Sequence, residues 1–376
     1  MQHRADPNRV TLEQLGMSAA AAGEVPAAPA SRPPAAPAAA TGPPTPYAQD
    51  PGKEHSYYNV SMLKSPPWKW EIASYFFLGG MSAGAYTIGR LADRCGGKQC
   101  RDIARAAAYL SLASFLPCPP LLIHDLGDPK RFHHMLRVFK PTSPMSMGTW
   151  AIIGYSGMSA AEAFRQWMLD HFPEENRGFV LRNITRGIEL VHDAAGVPLA
   201  LMVAGYTGVL LSSTSNPLWS KNKWIGPVFS ASAMATGAAG TSLFMSLFSP
   251  DSSDRSLRSL EKVDTLAHIA EAICLAGYFR QAGAKAHALR QGQMKTHMQV
   301  SIGSLILSEL LKLIPFRGRA RRTLGMISSI LSLVSGFSLR WAMVYGGHEA
   351  ANDPRTAPNG EQAQTRQSLR SQRALE

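Results

Sequence analysis

IASYFFLGGMSAGAYTIGRL, residues 72–91, is the stretch that decides the fold. It has no charge across its centre and reaches roughly the twenty apolar residues needed to cross the hydrocarbon core of a bilayer. Within it, Gly80 and Gly84 form a GxxxG pair with Gly79 and Ala83 beside them. Small residues at this spacing let two helix backbones approach closely where lipid supplies no hydrophobic drive for association. Seven further segments of this kind follow, at about 104–123, 147–168, 189–211, 224–248, 263–279, 298–314 and 323–345. The fifth is as free of central charge as the first and carries its own small residues, Ala233, Gly237, Ala238 and Gly240. His268, Glu271 and Glu309 lie inside the sixth and seventh. Pro117, Pro119 and Pro120 lack N–H donors, so they predict a distortion at the end of the second. The reading is an all-α integral membrane protein of about eight transmembrane helices.

Composition agrees once the ends are set aside. The 376 residues have a formal net charge of +12, with 17% charged residues. The mean hydropathy of −0.08 is low for a membrane protein. That average is lowered by residues 1–56, which run through PAAPASRPPAAPAAATGPPTP, and by the polar tail at 351–376. Neither stretch can bury enough apolar surface to offset the cost of ordering it, so both are expected to be disordered around a membrane domain at 57–350. The N-terminus shows no basic-then-apolar signal stretch. The basic excess sits between apolar runs, not on one soluble patch, which argues against nucleic acid. Cys95, Cys100, Cys118 and Cys274 have no CxxC spacing and no His-rich surroundings, so no iron–sulfur cluster is expected in this chain. Cations are denser in the odd-numbered connections, which hold Arg90, Arg94, Arg177 and Arg317 among others. That bias puts the odd connections in the cytoplasm and both termini outside.

Ionisable side chains within membrane segments are costly and mark functional positions. Near the expected outer face lie Glu71, Tyr75, His124, Asp125, Tyr206 and Arg340, with Trp68, Phe76 and Phe77 as walls. Two-electron chemistry on a quinone also moves two protons, so its site needs hydrogen-bond donors and a titratable group. The outer group supplies both. Glu162, Glu189, His192, Asp193, His268, Glu271 and Glu309 lie toward the other face. They read either as a proton path or as local pairs, His192 with Asp193 and His268 with Glu271, that tie helices together. His192 and His268 share a depth, which leaves a bis-histidine haem as an alternative. A secondary transporter or ion-translocating subunit is the rival from another class.

Two stretches, PPWKWEIASYFFLGGMSAGAY at 66–86 and HDLGDPKRFHHMLRVFKPTSPMSMGTW at 124–150, resemble the NrfD family of polysulfide reductase membrane subunits. GYTGVLLSSTSNPLW at 205–219 is a third match. The resemblance implies a subunit of the bacterial plasma membrane, built as two four-helix bundles and lacking haem. It also implies a site for menaquinone or ubiquinone. The implied partners are a four-cluster ferredoxin-like iron–sulfur subunit and, beyond it, a molybdopterin catalytic subunit or a multihaem cytochrome. Carried onto this chain, the quinone contacts fall on Tyr206 and on Ile72 and Tyr75, where relatives can have Asn and His. The LGDPKRF loop at 126–132 becomes a docking surface, with Asp128 and Pro129 setting a turn. Lys130 and Arg131 there would meet acidic groups or lipid phosphate.

Overall fold

A computed structural model describes residues 65–95, 97–172, 178–249, 254–314 and 319–352. Both tails, with their expected disorder, and Arg177 and Arg317 lie outside them. Among the described residues ten α-helices carry the fold: α1 (Trp70–Cys95), α2 (Lys98–Phe115), α3 (Cys118–Asp125), α4 (Pro144–His171), α5 (Phe179–Val191), α6 (Val197–Ser212), α7 (Ile225–Phe248), α8 (Asp254–Ala282), α9 (Gly292–Leu313) and α10 (Arg319–Asn352). No strand occurs among the described residues.

The eight expected segments fall on eight helical rods, because two rods are made of paired helices. α2 and α3 form one, broken at Leu116 and Pro117, where the first of the three prolines removes a donor from the helix. α5 and α6 form another, joined through a π-turn at His192–Gly196. Among the described residues four rods combine the length and apolarity needed to cross a membrane: Cys100–Asp125, Arg182–Ser212, Ile225–Phe248 and Ala320–Ala351. α1, α4, α8 and α9 are also 22 residues or longer and carry more polar side chains.

The helices pack as two groups, α1 to α6 and α7 to α10, with α1 against α7 along the seam between them. Phe76 meets Phe229 at one end of this seam, and Ile88 shares a cluster with Met245 at the other, so the two helices run parallel. Gly84 and Gly237 make the crossing possible. A Cβ at Gly84 would overlap the Ala233 carbonyl, and one at Gly237 would overlap the Gly84 backbone. The GxxxG of the sequence is therefore half of a glycine-lined contact whose other half is the small-residue run of α7.

Apolar and polar residues are distributed inside out relative to a water-soluble protein. Phe164, Trp167, Leu201, Leu266, Ile273 and Leu310 are exposed, while Arg90, Glu162, Arg165, His268, Glu271 and Arg340 are buried. An apolar exterior around a polar interior suits a bilayer, where lipid solvates the outside and charges must find partners within the bundle.

Candidate functional site

A cavity of about 210 Å³ opens near one end of the first bundle, at the N-termini of α1 and α4. Its walls are almost wholly apolar, including Trp68, Ile72, Phe76, Leu122 and Ile152. Four polar residues line it: Tyr75, Asp125, Thr149 and Tyr206. Helical spacing explains the set. Ile72, Tyr75 and Phe76 share a face of α1, and Gly148, Ile152 and Thr149 share a face of α4. Tyr206 crosses from α6 and lies over Gly148, where a Cβ would collide with its ring. The Tyr206 hydroxyl donates to the Pro144 carbonyl at the start of α4. The Tyr75 hydroxyl has no hydrogen-bond partner among the described residues.

The remaining outer residues flank this cavity. Glu71 is buried, with Oε1 3.0 Å from His124 Nδ1 and Oε2 left without a partner among the described residues. His124 is mostly exposed. Phe77 is not a wall residue: it turns toward the second bundle and meets Phe337 edge-on at 5.5 Å. Arg340 is likewise a seam residue, fully buried and donating to the Phe76 carbonyl, Ser232 Oγ and the Gly336 carbonyl at 2.9 Å each. Residues Pro129–Leu136 form a 3₁₀ turn beside the cavity, which Phe132, Met135 and Leu136 help to line. Asp128, Lys130 and Arg131 are exposed there, and Arg131 pairs with Asp128 at 3.2 Å.

At the other end of the first bundle is a buried ionic cluster. Glu162 on α4 takes bonds from Arg165 Nε at 3.0 Å and Nη2 at 2.8 Å, and lies 3.3 Å from Arg90 and 2.8 Å from His192 Nδ1. Asp193 pairs with Arg90 at 2.9 Å and Arg94 at 2.7 Å, Asp93 pairs with Arg90 and Arg165, and Glu189 with Arg165 at 2.9 Å. This corrects the sequence reading twice. His192 Nδ1 lies against Glu162 from another helix, and its neighbour Asp193 pairs with Arg90 and Arg94 instead. Arg90 is not a loop cation: it is 2% exposed within α1.

The second bundle has its own cluster. His268 Nδ1 lies 2.6 Å from Glu309, and Nε2 lies 3.0 Å from Ser332. Lys312 Nζ bonds Asp264 at 2.7 Å and Glu309 at 2.5 Å. His268 thus pairs with α9 and not with Glu271, one turn away on its own helix. Glu271 instead faces Ser232 and Arg340 at the seam. Asp264, His268 and Glu309 could together ligate a metal ion by their spacing. The Lys312 ammonium, however, already lies against both carboxylates. The inner residues therefore fall into two clusters, one per bundle, with Glu271 apart at the seam, and the two histidines belong to separate clusters.

Between the cavity and the Glu162 cluster runs a set of hydroxyls that the sequence reading passed over. Tyr155 lies 2.8 Å from Ser82 Oγ and 3.0 Å from Ser111 Oγ, and Ser111 Oγ lies 2.9 Å from Ser159 Oγ. Their signal was present as a stripe, 148, 152, 155, 159 and 162, on one face of α4. Uncharged hydroxyls do not stand out against an apolar run, so a search for ionisable groups misses them.

The family described as "Polysulphide reductase, NrfD" matches residues 59–351. The C subunit of the polysulfide reductase of Wolinella succinogenes is 26% identical over 311 residues, 77% of this chain and 96% of that protein. Protein NrfD of Escherichia coli K12 is 26% identical over 200 residues, 49% of this chain and 61% of that protein.

Proposed function

This chain belongs to the NrfD polysulphide reductase family, and from that premise we propose that it binds a quinone or quinol in the cavity lined by Tyr75, Asp125 and Tyr206. It is a multi-pass membrane subunit of a respiratory oxidoreductase. In the proposed role it exchanges electrons between the quinone and an iron–sulfur partner that carries them to or from a separate catalytic subunit.

The observation that carries this reading is the make-up of the cavity. A quinone headgroup is a flat, mostly apolar ring with two carbonyl acceptors. About 210 Å³ of apolar space falls below the roughly 300–1,000 Å³ typical of drug-sized ligands, which suits one ring with its tail left in lipid. The free Tyr75 hydroxyl is a donor for one carbonyl. Tyr206 can serve the other by turning its hydroxyl away from the Pro144 carbonyl. Asp125, at the mouth, and the Glu71–His124 pair beside it are the titratable groups for proton exchange. A bound quinone supplies the two-electron, two-proton chemistry. The chain's own residues orient the ring, keep water from the walls and hold protons at the Tyr75 hydroxyl and the Asp125 carboxyl.

The 3₁₀ segment beside the mouth is the proposed docking surface for the iron–sulfur partner. Lys130, Arg131, Arg137 and Lys140 form an exposed cationic strip there, positioned to meet acidic groups and steer association. We place this face on the outer side of the plasma membrane, in keeping with the loop charges.

The purified complex tests the site. Tyr75→Phe and Asp125→Asn should each lower quinone-linked turnover by about tenfold or more, as expected for a lost proton donor. Activity driven directly into the partner by a viologen dye should stay unchanged. Equal quinone-linked rates in both variants and wild type would sink the assignment.

A further inference from the structure

The turn between α1 and α2 brings together two of the chain's four cysteines, at the bundle end opposite the cavity. We propose that Cys95 and Cys100 form a thiol pair that a peroxide oxidises to an intramolecular disulfide. The pair is a modification site, and it stands apart from the quinone reading.

Placement is the first support. Cys95 is the last residue of α1 and Cys100 the third of α2, with only two glycines between the helices. Gly97 has a φ of 144°, which lets the chain reverse within so short a link. The two helices then run antiparallel in close contact. A Cβ at Gly89 would press on the Ala107 Cβ, and Ser82 Oγ donates to the Ser111 carbonyl at 2.8 Å. Followed toward the turn, that register sets Cys95 across from Cys100. Their thiols lie within hydrogen-bonding reach of each other.

Access is the second support. Cys95 is exposed and Cys100 half-buried. Arg94, next to Cys95, has 64% of its side chain exposed, so the turn stands in water at the end of the bundle. The proposed docking surface for the iron–sulfur partner is at the other end, which leaves this turn open. A thiol that senses peroxide needs solvent access and a second thiol poised to resolve its product. Cys95 and Cys100 divide those two roles. The other cysteines have no such arrangement. Cys118 is fully buried and donates to the Ser114 carbonyl at 3.6 Å, and Cys274 lies on α8 in the other bundle.

The chemistry balances in two steps. The Cys95 sulfur attacks an oxygen of hydrogen peroxide and the O–O bond breaks, leaving Cys95 as a sulfenic acid and releasing one water. The Cys100 sulfur then attacks the Cys95 sulfur. An S–S bond forms, the S–O bond breaks and a second water departs. Two thiols and one hydrogen peroxide have become one disulfide and two waters. In the orientation proposed above the turn is cytoplasmic, where thiol reductants return the pair to its starting state.

Peptide mapping of the purified complex tests the site, because trypsin separates the two cysteines. Cleavage after Arg94, Lys98 and Arg101 yields CGGK, residues 95–98, and QCR, residues 99–101. A Cys95–Cys100 disulfide keeps these two peptides joined. The complex is treated with hydrogen peroxide and denatured, and its remaining thiols are alkylated with N-ethylmaleimide before digestion. Complex kept reduced with dithiothreitol should give both peptides separate and alkylated. After peroxide the joined peptide should replace them while Cys274 stays alkylated, and dithiothreitol should restore the separate pair. Cys95 and Cys100 both still alkylated after peroxide would overturn the proposal. So would Cys95 carried to the sulfinic or sulfonic stage beside a free Cys100. Cys100→Ser supplies a second reading. Without the resolving thiol, Cys95 should be trapped by dimedone as its sulfenic acid, to a yield that wild type does not reach. Equal dimedone labelling of the two would deny Cys100 its role, and should the variant fail to accumulate, the wild-type map decides alone.

Discussion

The two bundles solve one problem differently. Each carries an inward carboxylate on its third rod with a cation three residues on, Glu162 with Arg165 in α4 and Glu309 with Lys312 in α9. Each of these carboxylates also lies against a histidine. In the first bundle Glu162 is nearly sealed and answers to two arginines, with Asp93, Asp193 and Glu189 completing the network. In the second, Glu309 is a quarter exposed and shares one lysine with Asp264. The surroundings differ as well. In the first bundle hydroxyls meet across three helices, with Tyr155 on α4 lying 2.8 Å from Ser82 Oγ on α1 and 3.0 Å from Ser111 Oγ on α2. Serines in the second run crosswise, Ser308 to Ser328 at 3.0 Å and Ser335 to the Ser301 carbonyl at 2.8 Å, zipping α9 to α10. Polar side chains inside a membrane bundle thus join three helices at one hub in the first bundle and zip a single pair in the second.

Substitutions can break this comparison or sharpen it. The largest expected effect is at Glu162. Glu162→Gln leaves Arg90 and Arg165 short of an anion in a sealed site, and should cost about 3–5 kcal/mol, read as the unfolding midpoint of the detergent-solubilised chain. Next is the seam. Gly84→Ala drives a methyl into the Ala233 carbonyl and should cost about 1–3 kcal/mol. Gly157→Ala, where a Cβ meets nothing within 4 Å, should be neutral or slightly stabilising. Equal behaviour of these two glycines would remove the tight crossing. Glu309→Gln comes third. Its partial exposure and single lysine limit the loss to about 1–2 kcal/mol, and a penalty matching that of Glu162→Gln would erase the difference between the clusters. The smallest is Ser308→Ala, about 0.6 kcal/mol for one interhelical hydroxyl, with no change in quinone-linked turnover. A turnover defect there would show that the crosswise serines do more than clamp.

Much of the fold was legible because its causes are local. The length of each apolar run and the prolines at 117, 119 and 120 fixed where rods exist and where one breaks. The cavity was partly legible too: Tyr75, Asp125 and Tyr206 were expected there and line it. Phe77 was misjudged as a wall, because depth along a helix can be counted from sequence while the side a residue faces depends on its neighbours. For the inner residues, the local pairs weighed against a proton path are not the contacts the structure makes. His192–Asp193 and His268–Glu271 are near in sequence, but the charges that answer them come from other helices.

By itself the sequence determined an all-helical chain with bilayer-length apolar runs, its small-residue crossing and its family signature, since periodicity and hydropathy are properties of consecutive residues. Only the tertiary structure decided which charge neutralises which, and that four hydroxyls from α1, α2 and α4 meet inside one bundle. The partners in those bonds lie 72 residues apart for Arg90 and Glu162 and 73 apart for Ser82 and Tyr155. Coulomb attraction and hydrogen bonding act over a few ångströms of space, so only packing reveals them.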